Sequence, residues 1–251
     1  MPDATAAPTV ALVHGAFADS SGWTGVIHRL RAAGVTAVAI SNPLRGISED
    51  AAYVASALAQ IPGPVLAVGH SYGGAIITNA ALRAGNVVGL VYVAAFAPDE
   101  GEKLLEVENG STDSVLNTAL VERQYPSGDA TVGEFSIDPA KFHSVFAADL
   151  SEEDAADMAA LQRPVSALGF VEPNGAPAWA SLPSWAVVAT GDTAAGADVV
   201  RSMAERAGAT ITEAEGSHVI FISRPDVVAD VVLQALRSVS GQASGGIAAA
   251  V

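Results

Sequence analysis

A chain of 251 residues, half of them hydrophobic, is long enough to bury one large core, and α/β folds of this size commonly stay a single unit. Twelve basic against 27 acidic residues give a net charge of −15, which excludes nucleic acid and anionic membrane surfaces as partners, because both would repel the chain. Cysteine is absent, and with it disulfides, thiol catalysis and thiolate metal sites.

Met1-Pro2-Asp3-Ala4-Thr5-Ala6-Ala7-Pro8 has neither a basic start nor an apolar segment of signal-peptide length, so the cytoplasm is the expected location. Apolar runs predict strands near 9–14, 35–40, 64–69, 87–95, 185–190 and 209–214. Amphipathic stretches near 21–33, 49–60, 72–84, 197–207 and 225–238 predict the helices between and after them. The alternation is that of an α/β fold with a mostly parallel sheet of about six strands and helices on both faces. Its longest apolar stretch, Val87 to Ala97, is too short to cross a bilayer. No internal repeat and no H-E-x-x-H spacing occurs, so no metal and no cofactor is expected.

The first chemical signal is the loop His14-Gly15-Ala16-Phe17 after the first strand. Glycine there lets the backbone approach a reaction centre, and Ala16 is the residue whose N–H would face an oxyanion. The second signal is Gly69-His70-Ser71-Tyr72-Gly73, between the apolar run Pro64-Val65-Leu66-Ala67-Val68 and the small-residue helix that begins at Gly74. A G-x-S-x-G turn from strand to helix holds its serine in strained backbone, and a Cβ at either glycine would clash where the chain doubles back. Ser71 is therefore the expected nucleophile, and the N–H of Tyr72, at the positive end of a helix, the second oxyanion donor.

Between Asp99 and Leu182 the βα rhythm breaks for roughly eighty residues that carry helical signals and no convincing buried strand; insertions that long inside an α/β fold are usually functional. One helix there is well marked, with Ser151 as N-cap, three acids in its first turn and Pro164 beyond its end. Residues 99–157 hold fifteen Asp or Glu against Lys103, Arg123 and Lys141, a net of −12 that leaves only −3 of the total −15 for the rest. The expected organisation is a core of residues 1–98 and 183–240, a helical cap over 99–182, and a disordered tail over 241–251.

Asp192, in the turn Thr190-Gly191-Asp192 after the fifth strand, is the expected acid, with Asp99 after the fourth strand as its rival. His218, in Glu215-Gly216-Ser217-His218 after the sixth strand, is the expected base, since that loop returns over the carboxyl ends of the strands. His28 and His143 read as surface residues, and His70 as a buried partner of a neighbouring strand end. Phe17, Trp23 and Val219, near the expected mouth, suit a small apolar substrate group.

With His14-Gly15-Ala16, Gly69-His70-Ser71-Tyr72-Gly73-Gly74, Asp192 and Gly216-Ser217-His218 in this order, the chain resembles the α/β-hydrolases over nearly all of residues 9–238. Within them it is similar to small bacterial esterases and, more distantly, to the plant methyl-esterase and hydroxynitrile-lyase branch. That resemblance implies a triad mechanism in which Ser71 attacks a carbonyl, His218 moves the proton, Asp192 fixes the imidazole, and the N–H groups of Ala16 and Tyr72 hold the oxyanion. The lyases carry a lysine after the histidine and a threonine at the position of Gly15; this chain has Val219 and Gly15, which favours hydrolysis of small neutral carboxylic esters or lactones. A cyanohydrin or carbon–carbon lyase and a non-catalytic receptor are the alternatives. The expected partner is a small ester, with a homodimer left open.

Overall fold

The computed structural model describes residues 7–245. The chain begins with β1 (Thr9–Val13), α1 (Thr24–Ala32), β2 (Ala37–Ile40), α2 (Ile47–Ala59), β3 (Val65–His70), α3 (Tyr72–Ala84) and β4 (Val87–Val93). An insertion follows, comprising α4 (Leu104–Asn109), β5 (Leu120–Ser127), β6 (Ala130–Ile137), α5 (Pro139–Phe146), α6 (Glu152–Leu161), β7 (Val165–Ser166) and α7 (Leu168–Val171). The chain then returns to the sheet with β8 (Ser184–Ala189), α8 (Ala197–Arg206), β9 (Thr210–Ala214), α9 (Ile220–Ser223) and α10 (Pro225–Gly245).

Six strands form one parallel sheet in the order β2-β1-β3-β4-β8-β9, at the six places the apolar runs predict. Its central strands read as near-continuous hydrophobic runs because helices cover both faces; every residue of β3 and of β8 is buried. The edge strands β2 and β9 are only partly buried. Registers pair Val13 with Gly69, His70 with Val93, Val93 with Val187 and Ala189 with Ala214. All six strands end at one edge, so the loops that follow β1, β3, β8 and β9 converge there. Leu66, fully buried in β3, typifies this core; its truncation to alanine would cost about 2–5 kcal/mol.

Two expectations are corrected. The insertion is not helical throughout: β5 and β6 form an antiparallel hairpin through Gly128-Asp129, joined by the two-residue β7. The hairpin escapes a search for buried strands because most of β5 is exposed and its residues do not alternate. Pro126 fits there because β5 lies at the edge of its sheet, where a missing N–H breaks no inner ladder. The second correction concerns the tail. The last helix runs through Gly245, since a single Gly241 costs a helix only about 1 kcal/mol; residues 246–251 lie outside the described residues. The helix α6 begins as predicted, with Ser151 Oγ accepting the Asp154 N–H at 3.0 Å. No described helix is long and apolar enough to cross a membrane.

Candidate active site

Ser71 sits between β3 and α3 with φ 53° and ψ −124°, a left-handed conformation that a non-glycine residue adopts only when its surroundings impose it. They do so here through the backbone. Ser71 N–H donates to Val93 O at 3.3 Å, and its carbonyl accepts from Gly74 N–H at 2.9 Å and Phe96 N–H at 3.2 Å. A methyl group on Gly69 would stand 2.5 Å from Gly73 O, and one on Gly73 the same distance from Val13 O, so this turn closes only with glycine at both places. Ser71 is 6% exposed, and its hydroxyl has no hydrogen-bond partner among the described residues.

His218 lies in the loop after β9, and its Nδ1 is 2.8 Å from Asp192 Oδ2. Both residues are 2% exposed. Asp192 is itself oriented, because its Oδ1 accepts the N–H groups of Ala194 at 2.9 Å and Ala195 at 3.0 Å. The rival Asp99 lies elsewhere, its carboxylate accepting the N–H of Glu100, and among the described residues it bonds to no histidine. The imidazole of His218 packs 4.7 Å from that of His70, next to Ser71, and 4.9 Å from the ring of Phe146 in the insertion.

Two of the remaining histidines, His70 and His14, are held neutral by burial. Burial and the neighbouring His218 hold His70 well below the ordinary histidine range, and its Nε2–H donates to the His218 carbonyl at 2.9 Å. Its partner is thus the loop that carries His218, not a strand end. Burial also lowers His14 to about 4; its Nδ1–H donates to Gly15 O at 2.9 Å and its Nε2 accepts the Asn42 N–H at 2.9 Å. These bonds fix the loop that carries Ala16. Gly15 brings that loop against the elbow, where a methyl group would stand 2.7 Å from Ser71 Cβ. Ala16 N–H takes no partner among the described residues, and Tyr72 N–H, at the first position of α3, has no carbonyl one turn behind it within the helix. Both donors are free for an oxyanion.

The three apolar candidates fall in different layers. Phe17, with φ 59°, sits edge-on to Phe146 at 6.1 Å and bounds a cavity of about 70 Å³ with Met158, Leu161, Phe221 and Ile222. Val219 is fully buried beside His218. Trp23 is not at the mouth: it is wholly buried behind the site, 4.5 Å from Phe221 and 6.5 Å from His70, because the turn before α1 directs it into the core. The phenol of Tyr72 also points away, donating to Asp50 Oδ2 at 2.8 Å; burial pushes Asp50 up and, with Asp50 beside it, pushes Tyr72 well above its usual range.

Three insertion residues gave no local sequence signal for their roles here. Arg163 forms no ion pair with neighbouring acids among the described residues; its guanidinium donates to Asn42 O at 2.8 Å and stands 3.3 Å from His14 Nε2. Glu108, 4% exposed, is raised to about 8 by burial and by the charge of Asp192. Asp149 is bonded to the His218 loop. Their partners are distant in sequence, so no motif connects them. Among the described residues no group of three or more His, Asp or Glu is placed to hold a metal ion.

A family model described as "Alpha/beta hydrolase family" matches residues 10–231. Among solved structures the chain is similar to polyneuridine aldehyde esterase, with a TM-score of 0.77 at 20% identity, over 91% of this chain and 99% of that one. It is similar to a pyrethroid hydrolase from Sphingobium faniae JZ-2, with a TM-score of 0.74 at 21% identity, over 92% and 97%. Tomato methylketone synthase I, in complex with 2-tridecanone, gives a TM-score of 0.72 at 18% identity, over 93% and 99%. At these identities the likeness is one of fold. A search among curated proteins returns no match.

Proposed function

The chain belongs to the alpha/beta hydrolase family, and from that premise we propose that it is a serine hydrolase of small neutral carboxylic esters or lactones. One observation carries the reading: a serine in left-handed backbone at a helix N-terminus, at the same edge of the sheet as an imidazole whose Nδ1 meets a buried carboxylate at 2.8 Å and whose ring packs 4.7 Å from that of His70, the residue before the serine. In the mechanism Ser71 Oγ attacks the ester carbonyl while His218 Nε2 takes its proton. Asp192 holds the Nδ1–H tautomer and stabilises the imidazolium, and the N–H groups of Ala16 and Tyr72 receive the developing oxyanion. His218 returns the proton to the leaving alkoxide, and water, activated by the same imidazole, releases the acid from Ser71.

Hydrolysis is favoured over lyase chemistry because Val219, buried and apolar, follows His218 where a cation would be wanted for a cyanide leaving group. Esterase and hydrolase stand in the names of two of the similar structures, which supports the same reading. We assign the insertion the part of a cap. Its acidic surface disfavours anionic substrates within a Debye length of about 8–10 Å, and the apolar lining beside Phe17 suits a small hydrocarbon group.

Burst and steady-state kinetics on p-nitrophenyl acetate and butyrate test the proposal, with fluorophosphonate labelling of the serine. The expected result is a burst equal to the enzyme concentration, labelling at Ser71, and loss of both in Ser71→Ala. Turnover by Ser71→Ala within tenfold of the parent would overturn the assignment.

A further inference from the structure

The loop that carries His218 is held from four directions, and only three of them belong to the sheet side of the site. Gly191 N–H donates to Gly216 O at 3.0 Å, His70 Nε2–H donates to His218 O at 2.9 Å, and Asp192 receives the imidazole. The fourth hold comes from the insertion. Asp149, in the turn between α5 and α6, accepts the Ser217 N–H at 2.9 Å, the Ser223 hydroxyl at 2.6 Å and the Ser217 hydroxyl. Ser217 immediately precedes His218, and Ser223 ends α9, which starts two residues after it. One carboxylate therefore grips the chain on both sides of the imidazole.

Three donors converging on one side chain call for an acceptor without a proton. Desolvation works to raise Asp149, but the hydrogen bonds from Ser217 and Ser223 outweigh it and hold the group below the ordinary carboxylate range. The approach is close: a methyl group on Gly216 would stand 3.2 Å from Asp149 Oδ2 and 3.0 Å from Ile220. Three residues before Asp149, Phe146 lays its ring against the His218 imidazole, and its carbonyl lies 3.4 Å from Ser217 Oγ. The same turn thus bounds the imidazole by packing and anchors its backbone by charge.

We infer that Asp149 is a positioning residue for the base: by fixing Ser217 and α9 it sets where the His218 imidazole stands between Asp192 and Ser71. This rests on the serine-hydrolase reading. Among the described residues the Asp149 carboxylate bonds to Ser217 and Ser223 and not to the side chains of Ser71, Asp192 or His218, so it acts through the loop. A shift of the base by a fraction of an ångström is enough to slow proton transfer, because misplacement by about 1 Å can cost about a hundredfold in rate.

The test compares Asp149→Ala and Asp149→Asn with the parent by three measurements: kcat and KM on a neutral p-nitrophenyl ester, the downfield proton resonance of the His218–Asp192 hydrogen bond, and Tm. Asp149→Ala should lower kcat about tenfold to a hundredfold with KM within about threefold, and should move or broaden the resonance. Asp149→Asn keeps a carbonyl oxygen for Ser217 N–H and should recover most of the loss. If Asp149→Ala does not fold, Ser217→Ala, which deletes one of the three bonds, should give a smaller loss of the same kind. An unmoved resonance with unchanged kcat overturns the inference, as does a loss of kcat with the resonance in place. Absence of any Ser71-dependent turnover in the parent would instead refute the hydrolase reading, while the resonance would still report on the clamp.

Discussion

The parallel sheet and the insertion between β4 and β8 contribute to one site by different means. In the sheet, short-range chemistry does the placing: strand ends in register, glycines where the backbone turns, and each functional side chain within a few residues of a strand terminus. The insertion works by reach. Asp149 crosses 68 residues of sequence to Ser217, and Arg163 crosses 121 to Asn42. The two regions also differ in charge, with a net of −12 in residues 99–157 against −3 elsewhere. The sheet should therefore decide whether the reaction occurs, and the insertion how fast and on what.

The largest expected effect lies on the sheet side. Asp192→Asn keeps size but offers His218 Nδ1 the wrong partner, and should lower kcat by about 10⁴ with little change in fold. Asp99→Asn, whose carboxylate caps a neighbouring N–H, should stay near the parent. A reversed order of severity would move the acid to the earlier strand. Gly15→Ala should follow, since its methyl group would press within 2.7 Å of Ser71 Cβ and 2.8 Å of His70 O. A loss of about 10²–10³ in kcat is expected, the range for one displaced oxyanion donor. Full activity in this variant would show that the His14 loop is not part of the hole.

Arg163→Met addresses the insertion. Its guanidinium braces Asn42 and His14 and forms no ion pair among the described residues, so its removal should cost a few-fold in kcat/KM for neutral esters and leave the triad intact. Parent and variant compared on neutral and anionic esters of matched size, at low and high salt, measure the electrostatic part. A parent preference for the anionic ester that weakens with salt and disappears in Arg163→Met would make Arg163 a carboxylate anchor and end the neutral-substrate reading.

The smallest effect is one of stability. Glu108 is raised from 4.5 to about 8 in the folded protein, so between those values the native state holds a proton that the unfolded chain has released. Its contribution is full below about pH 4.5 and is lost as the pH rises through about 8. Glu108→Gln should flatten that part of the Tm–pH curve and raise Tm by several degrees at pH 8, corresponding to at most a few kcal/mol. An unchanged curve would mean that the carboxyl finds water in the native state. His14 acts in the opposite sense. Lowered to about 4, it resists the protonation that the unfolded chain accepts, so its contribution to stability is lost as the pH falls from 6.5 toward 4.

The contrast also explains what could be read before folding. All six sheet strands, Ser71, Asp192 and His218 carry local signatures, because buried parallel strands are nearly all apolar and an elbow needs glycine at fixed offsets. The hairpin β5–β6 was hidden by its exposure, and the helix beyond Gly241 by residues that look like a linker. Trp23 was misplaced because an aromatic near a loop gives no indication of which way its turn faces. Asp149 and Glu108 sit in acid-rich sequence where most carboxylates face water; only the folded chain separates them from their neighbours.

The non-glycine residues with left-handed backbone among the described residues are Phe17, Leu44, Ser71 and Ala94, one after each of the first four strands and all at the edge where the site lies. Each such residue costs on the order of 1–3 kcal/mol and persists only while the packing around it is intact. Heating should therefore divide the molecule's failure into two events: these turns relax first, and the sheet melts afterwards. Ester turnover should decline reversibly several degrees below the midpoint seen by far-ultraviolet circular dichroism. The working temperature of this protein is then governed by the stiffness of one rim, and substitutions that merely strengthen the sheet would raise its melting point without extending the range over which it acts.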